Sequence, residues 1–164
     1  IGLIGFGRIG RAVADTLRPL KPRLLVHDPR IRFEDLPAEA RGCTLLELLT
    51  HADLVSLHAG RDPKEGPILG GREIAQMKQG SRLVNTARGH LVDEPALLQA
   101  LRSGRLSGAA LDVFSEEPYR GPLSQCPNVL CTPHVGTLTR ASRSAMEASC
   151  ARSVVEFFRT RGSA

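Results

Sequence analysis

A glycine-rich turn between an apolar run and a helical segment constrains the fold of this chain more than any other feature. Residues 1–4 are the apolar run, and residues 5–10 follow with the pattern Gly-x-Gly-x-x-Gly. Residues 11–17 then continue with helical spacing, and a second apolar run, residues 24–27, leads to Asp28. This order predicts a strand, a tight turn, a helix, a second strand and an acid at its end.

Each glycine of the turn has a physical task in such a unit. Gly5 allows the tight turn, Gly7 lets the backbone approach a pyrophosphate, and Gly10 lets the helix pack closely on the strand. The free N–H groups and the dipole at the start of a helix favour phosphate groups. Asp28 follows the glycine turn at the separation along the chain that is usual for an acid that accepts hydrogen bonds from the ribose hydroxyls. The pattern therefore predicts a dinucleotide site; the alternative is a glycine turn that serves only packing.

The rest of the chain repeats the alternation of strand and helix. Further strands are predicted at residues 54–57, 82–85, 108–111 and 129–131. Helices are predicted over residues 43–50, 72–77, 93–104 and 139–161, while residues 30–42 and 60–70 are predicted to be connections. Continuous apolar strands that alternate with helices are typical of a parallel sheet covered on both faces. The predicted fold class is α/β, with a doubly wound parallel sheet of the Rossmann type in three α/β/α layers.

Some helix ends carry explicit signals. Thr44 followed by Glu47 predicts a capping box, and Asp93 predicts an N-cap in front of Pro95. Gly80 and Gly104 are predicted to end the helices that precede them.

Polar residues follow the predicted strands, where the apolar runs stop. They are Asp28, His58, Arg88, Asp112 and His134. Because open α/β sheets bind ligands at the carboxyl ends of their strands, this placement predicts a site along one edge of the sheet.

Composition argues against several other classes. The net charge is +5, but the arginines are scattered rather than clustered. With one Tyr, five Phe and no Trp, the chain also lacks a row of aromatic side chains on which bases could stack. No nucleic-acid partner is therefore expected. No apolar run reaches 18 residues, so no membrane span is expected. The four cysteines show no metal-binding spacing, so no metal site is expected. They are instead expected to be reduced, mostly buried thiols, as in a cytoplasmic protein.

Three polar positions suggest acid–base chemistry on a carboxylic acid. Arg88 offers a planar fork that matches a carboxylate. His134 can act as acid and base if a carboxylate tunes it. Spacing alone leaves open whether Glu116 or Glu117 is that carboxylate.

The chain resembles the NAD-binding domain of the D-isomer-specific 2-hydroxyacid dehydrogenases. The matching segments occur in the family order and span nearly the whole chain. They are the glycine turn with Asp28, residues 55–58, 84–89, 91–94, 108–114 and 117–118, and Thr132-Pro133-His134. One departure lies beside the cofactor, where Ala59-Gly60 replaces a stretch that usually contains proline.

The resemblance implies NAD as the cofactor and a role for each matching residue. Arg88 would bind the substrate carboxylate and keto oxygen, His134 would be the catalytic acid–base, and Glu117, preferred over Glu116, would pair with it. Asp112 would contact the nicotinamide carboxamide. The remaining cofactor positions implied are Arg8 and Ile9 at the pyrophosphate, with Ala59, Thr86, Ala87 and Gly136 as further contacts.

The implied activity is reversible hydride transfer between NAD(H) and a D-2-hydroxyacid/2-keto acid pair. Candidate pairs are glycerate/hydroxypyruvate, glycolate/glyoxylate and 3-phosphoglycerate with its keto acid. Family members build a substrate domain from segments on both sides of the cofactor domain. Residues 1–164 are therefore expected to be one dinucleotide-binding domain, excised from a two-domain protein that forms a homodimer, with the substrate domain absent.

One alternative is a binding module of the C-terminal-binding-protein type, a corepressor that keeps the dehydrogenase fold and binds partner proteins in an NAD-linked way. Those proteins carry a tryptophan shortly after the Thr-Pro-His motif. Here Val135-Gly136-Thr137 follows that motif and the chain contains no Trp, which favours an enzyme.

Overall fold

A computed structural model describes residues 1–161, apart from the side chain of Phe33. The chain divides into two compact units, Ile1–Pro133 and His134–Ala164. The first unit holds a seven-stranded sheet and four α-helices, and the described part of the second holds one long helix. Within residues 1–161, no helix combines the length and the apolar character needed to cross a membrane.

The elements of the first unit alternate along the chain as predicted. Its strands are β1 (Gly2–Ile4), β2 (Leu24–His27), β3 (Ala40–Gly42), β4 (Leu54–Leu57), β5 (Arg82–Asn85), β6 (Gly108–Leu111) and β7 (Val129–Cys131). Its α-helices are α1 (Arg8–Leu17), α2 (Leu45–His51), α3 (Gly71–Gln76) and α4 (Glu94–Arg102). The second unit contains α5 (Arg140–Arg161), which confirms the predicted long helix.

All seven strands are parallel, in the order β3-β2-β1-β4-β5-β6-β7. The order reverses direction between β1 and β4, and such a switch point is where doubly wound sheets bind ligands. Ile4 of β1 pairs with His27 of β2 on one side and with Leu57 of β4 on the other. The predicted fold class is confirmed, and the residue after each of these three strands lies at the same edge.

The core lies on both faces of the sheet, because successive strand residues point to opposite sides. On one face Leu3 packs in a cluster with Ala14 of α1 and with Val26. On the other face Ile4 belongs to a larger cluster with apolar residues of α2, α3 and α4, such as Leu48. These two clusters define the three predicted layers.

Local signals at two helix starts act as predicted. The Thr44 hydroxyl accepts a hydrogen bond from the Glu47 N–H over 3.2 Å, and the Asp93 carboxylate accepts one from the Ala96 N–H over 3.0 Å. The Glu47 side chain, the second half of the predicted capping box, contacts Arg41 of β3. The helix α2 therefore begins at the predicted place with one half of the box formed.

Two local predictions were wrong. Residues 30–42 were expected to be only a connection, yet they contain β3, which pairs with β2 at the edge of the sheet. The sequence Ala-Arg-Gly has no apolar run, so its strand character depends on the neighbour that it pairs with. Gly80 was expected to end α3, but the helix ends at Gln76, and Gly80 takes a left-handed conformation (φ +76°) in the following turn.

The cysteines are unpaired, but the expectation that they are mostly buried was wrong. Cys43 is buried, Cys126 and Cys131 are partly exposed, and Cys150 on α5 is exposed. Burial raises the pKa of the Cys43 and Cys131 thiols, so both favour the protonated form.

Candidate functional site

The glycine turn after β1 has the geometry that its sequence predicts. Gly5 has φ +91°, and a Cβ added there would lie 2.7 Å from the backbone nitrogen of Ala59. A Cβ on Gly10 would lie 2.3 Å from the carbonyl oxygen of Gly5. In contrast, a Cβ on Gly7 would meet no atom within 4 Å. Two glycines therefore permit close packing, while the third leaves an open surface that a ligand can approach.

The start of α1 is electrostatically suited to an anion. The helix begins at Arg8, directly after Gly7, with no acidic residue in its first turn and no hydrogen bond from the Gly7 position to cap it. Its first N–H groups and the positive end of its dipole therefore remain available for a phosphate group. Arg8 and Ile9, the two residues predicted to face a pyrophosphate, are exposed there.

Asp28 joins the end of β2 to the glycine turn. Its Oδ2 accepts a hydrogen bond from the Phe6 N–H over 2.7 Å, and its Oδ1 accepts one from the Arg30 N–H over 2.9 Å. Because a carboxylate has about four acceptor positions, lone pairs remain for the hydroxyls of a ribose.

A cleft of about 510 Å³ spans the switch point between β1 and β4. Its volume falls in the range of about 300–1,000 Å³ that is usual for small-molecule sites. Four predicted cofactor residues line it, namely Gly5, Gly7, Asp28 and Ala59. A larger cavity, of about 840 Å³, lies between α4 and residues 115–123, but no predicted cofactor residue lines it.

The sequence did not predict most of the residues that line the cleft at the switch point. The additional lining residues are Ile4, His27, Pro29, Arg30, Ile31, Leu45, His58, Gly60, Arg61, Glu65 and Ile68. His58 was singled out as a polar residue after a strand, without a role in the site. The loop residues from Gly60 onward carry no local signal, because only the folding of the loop brings them to the cleft.

His58 is a neutral wall of the cleft. Its Nε2 lies 2.9 Å from the Ser56 hydroxyl, and burial lowers its pKa from the ordinary value of 6.5. Desolvation disfavours the charged imidazolium, so near neutral pH the ring is uncharged.

A compact turn after β5 supports Arg88. The Asn85 amide closes this turn, since its Nδ2 donates to the Arg88 carbonyl oxygen over 2.9 Å and its Oδ1 accepts from the Ala87 N–H over 3.1 Å. Gly89 follows, and a Cβ there would lie 1.9 Å from the backbone of Phe114. The turn is therefore held firmly, while Thr86 and Arg88 are exposed and can reach a ligand.

The segment after β6 carries two acids in different environments. Asp112 is buried and accepts a hydrogen bond from the Thr132 hydroxyl, while its N–H donates to the Asn85 carbonyl oxygen over 3.0 Å. Glu117 is exposed, and its Oε1 accepts a hydrogen bond from the Phe114 N–H over 3.0 Å. Glu117 thus folds back on its own loop.

The second unit begins at His134 and also contains Gly136. His134 has a backbone φ of +54°, in the left-handed region that side chains other than glycine rarely adopt. Such strain is found preferentially at functional positions.

Comparisons with known proteins agree with this geometry. Residues 1–136 match the family model described as D-isomer specific 2-hydroxyacid dehydrogenase, NAD binding domain. D-3-phosphoglycerate dehydrogenase of Methanocaldococcus jannaschii is 41% identical over 150 residues, which are 88% of this chain and 28% of that protein.

Solved structures show the same likeness. A glyoxylate reductase from Paecilomyes thermophila is 37% identical with a TM-score of 0.84, over 90% of this chain and 45% of that one. The NAD-complexed D-isomer specific 2-hydroxyacid dehydrogenase of Lactobacillus delbrueckii ssp. bulgaricus is 32% identical with a TM-score of 0.86, over 94% of this chain and 53% of that one. The chain thus spans about a quarter of the archaeal relative and about half of these structures. It belongs to the D-isomer specific 2-hydroxyacid dehydrogenase family, as the NAD-binding domain.

Proposed function

We propose that this chain is the cofactor-binding part of an oxidoreductase that transfers a hydride between NAD(H) and a D-2-hydroxyacid/2-keto acid pair. The observation that carries the proposal is the shared edge of the sheet. The glycine turn and Asp28 lie at the ends of β1 and β2, and Arg88 and Asp112 follow β5 and β6 at the same edge. One extended dinucleotide laid across these strand ends would bring its nicotinamide near the exposed arginine.

The cofactor, when bound, supplies the hydride at C4 of its nicotinamide. The residues of this chain would hold it in place. Asp28 would accept from the adenosine ribose, the start of α1 would receive the pyrophosphate, and Asp112 would accept from the nicotinamide carboxamide. The Asp28 carboxylate would repel the 2′-phosphate of NADP, and this expected repulsion supports NAD as the cofactor.

Three residues, Arg88, His134 and Glu117, match the positions that carry the chemistry in this family, and their proposed roles rest on that match. Arg88 binds the carboxylate of the substrate and polarises its keto oxygen. His134 gives a proton to the developing alkoxide oxygen in reduction and takes it back in oxidation, and Glu117 favours the protonated histidine. We also propose that the complete protein is a cytoplasmic homodimer, which sedimentation of that protein would test.

The proposal is tested in two steps. NADH is first titrated into the chain by calorimetry, where saturable binding is expected. A complete dehydrogenase that contains this domain is then assayed by NADH oxidation with hydroxypyruvate, glyoxylate and 3-phosphohydroxypyruvate. The phosphorylated acid is included because the relative at 41% identity is a D-3-phosphoglycerate dehydrogenase. Failure of every 2-keto acid in the panel would overturn the proposed reaction.

A further inference from the structure

One wall of the cofactor cleft is formed by residues 60–67, here named the cleft loop. Gly60, Arg61 and Glu65 of this loop line the cleft. The loop is folded on itself, because the Arg61 guanidinium bonds to Glu65 Oε2 over 3.2 Å and to the Pro67 carbonyl oxygen over 3.3 Å. These internal contacts shape the loop without attaching it to the rest of the unit.

The two residues that directly follow the cleft loop are attached through backbone hydrogen bonds. The N–H groups of Ile68 and Leu69 both donate to the carbonyl oxygen of Leu91, over 2.9 and 3.0 Å. A short bridge between Leu69 and Val92 continues this attachment. The C-terminal end of the loop is therefore fixed, through these two residues, to the segment that follows Arg88.

The first half of the cleft loop is attached by a side chain. His90 Nε2 lies 2.9 Å from the carbonyl oxygen of Arg61. A carbonyl oxygen can only accept, so Nε2 carries the hydrogen and donates it. Within residues 1–161, this is the one hydrogen bond between residues 60–64 and the chain beyond the loop.

The anchor itself stands on a rigid support. His90 is partly buried in the short turn Gly89–Leu91, which begins directly after Arg88. Gly89 lies so close to the Phe114 backbone that no side chain would fit there. His90 is therefore held in place by packing that does not depend on the loop.

We propose that His90 is a positioning residue for the cofactor, which holds the cleft loop against the Arg88 turn so that the wall of the cleft is formed before NAD(H) binds. The inference rests on the proposed binding of NAD(H) in this cleft. Without the anchor, the loop must lose conformational freedom on binding, and that loss weakens affinity. A single hydrogen bond contributes about 1 kcal/mol net, which corresponds to about a fivefold change in the dissociation constant.

Three substitutions isolate the hydrogen bond. His90→Leu keeps an apolar side chain of similar size and removes the donor. In His90→Gln, the amide nitrogen is as many bonds from Cα as Nε2 of histidine, so it can donate to Arg61. His90→Asn carries the same amide one bond shorter and cannot reach. His51→Leu is the matched control, because His51 lies at the end of α2 and bonds within its own helix to Glu47.

Two measurements on the chain give the result. Calorimetry measures the NADH dissociation constant, and limited trypsin digestion reports the order of the loop through cleavage after Arg61 and Lys64. We expect His90→Leu and His90→Asn to raise the dissociation constant about fivefold and to speed both cleavages. His90→Gln should restore both values, and His51→Leu should change neither. If His90→Leu does not fold, the Asn and Gln variants carry the test.

Three outcomes would overturn the inference. Unchanged NADH affinity in His90→Asn would show that the anchor does not matter for binding. Weaker affinity without faster cleavage would show that His90 acts by another route. Wild-type chain that binds no NADH would instead overturn the proposed cofactor site, and His90's role with it.

Discussion

The Asp28 carboxylate accepts a hydrogen bond from the backbone N–H of Phe6, 2.7 Å away, and so ties the end of β2 to the glycine turn after β1. The residue expected to recognise the ribose therefore also shapes the turn expected to receive the pyrophosphate. A substitution at Asp28 has to separate these two roles. Asparagine comes nearest to doing so, because its amide oxygen can still accept from the Phe6 N–H while the charge is lost, and only the bond from the Arg30 N–H is given up.

The first prediction concerns the choice between NAD and NADP. We expect the wild-type chain to bind NAD at least about tenfold more tightly than NADP, because the Asp28 charge would meet the 2′-phosphate at a cost on the order of 1–2 kcal/mol. Asp28→Asn should narrow the ratio, measured by calorimetry with both cofactors. Asp15→Asn, which removes an exposed charge on α1, should leave it unchanged. Equal or tighter binding of NADP to the wild type would contradict the prediction.

A second prediction compares two glycines of the same turn. Gly5→Ala forces a side chain into a left-handed backbone and against the Ala59 backbone, so it should lower the free energy of unfolding by about 2–5 kcal/mol. Gly7→Ala meets no neighbour and should change that free energy by less than about 0.5 kcal/mol. It should nevertheless weaken NADH binding, because its methyl group enters the open surface. Urea denaturation measures the free energy of unfolding, and calorimetry measures NADH binding. Equal stability of the two variants would refute the different roles assigned to Gly5 and Gly7.

The third prediction is a pH dependence of stability caused by His58. Burial lowers its pKa in the folded chain below the ordinary 6.5, so the unfolded chain binds this proton more readily. The contribution of neutral His58 to the free energy of unfolding is therefore fully present above pH 6.5. This free energy falls as the pH drops from 6.5 through the lowered pKa of the folded chain. Unfolding free energies of the wild type and His58→Gln, measured from pH 5 to 7.5, should differ in slope within that window. A difference that is constant with pH would show that His58 is not the group responsible.

The fourth prediction concerns the carboxylate proposed to act with His134 in a complete dehydrogenase. In the proposed mechanism reduction consumes a proton from His134, so the rate of reduction should fall at high pH. Glu117→Gln removes the charge of that carboxylate and should move this fall to lower pH, with NADH affinity nearly unchanged. Glu116→Gln is the matched control and should leave the profile in place. The reverse pattern would assign the role to Glu116.

The same enzyme allows a test of His134 itself. Replacement by alanine removes the acid–base group, and kcat should fall about 100-fold or more at every pH. Steady-state assays across the pH range measure this, and a kcat within a few fold of the wild type would rule out general acid catalysis by His134.

The last prediction concerns Arg88, whose turn is closed by the Asn85 amide. Arg88→Lys replaces a bidentate fork by a point charge, so it should chiefly raise KM for the 2-keto acid. Arg120→Lys, an exposed arginine beyond the cleft, should leave KM unchanged. A fall in kcat with unchanged KM would mean that Arg88 does not bind the substrate in the ground state.

The glycine turn could be predicted from the sequence because its determinants are local. Gly5, Gly7 and Gly10 act within one turn, and the apolar runs before and after them define two strands. The caps at Thr44 and Asp93 are local as well, since each acts on the residue three positions along the chain. For such features, neighbours in sequence are the neighbours in space.

Features that depend on distant parts of the chain were decided only by the tertiary structure. β3 has no strand pattern of its own and forms because β2 offers it an edge. His90 and Arg61 are 29 residues apart, and neither carries a motif that links it to the other. Parallel strands place their carboxyl ends together whatever their separation along the chain, and only that placement brings the cleft loop, His58 and Asp28 around one site.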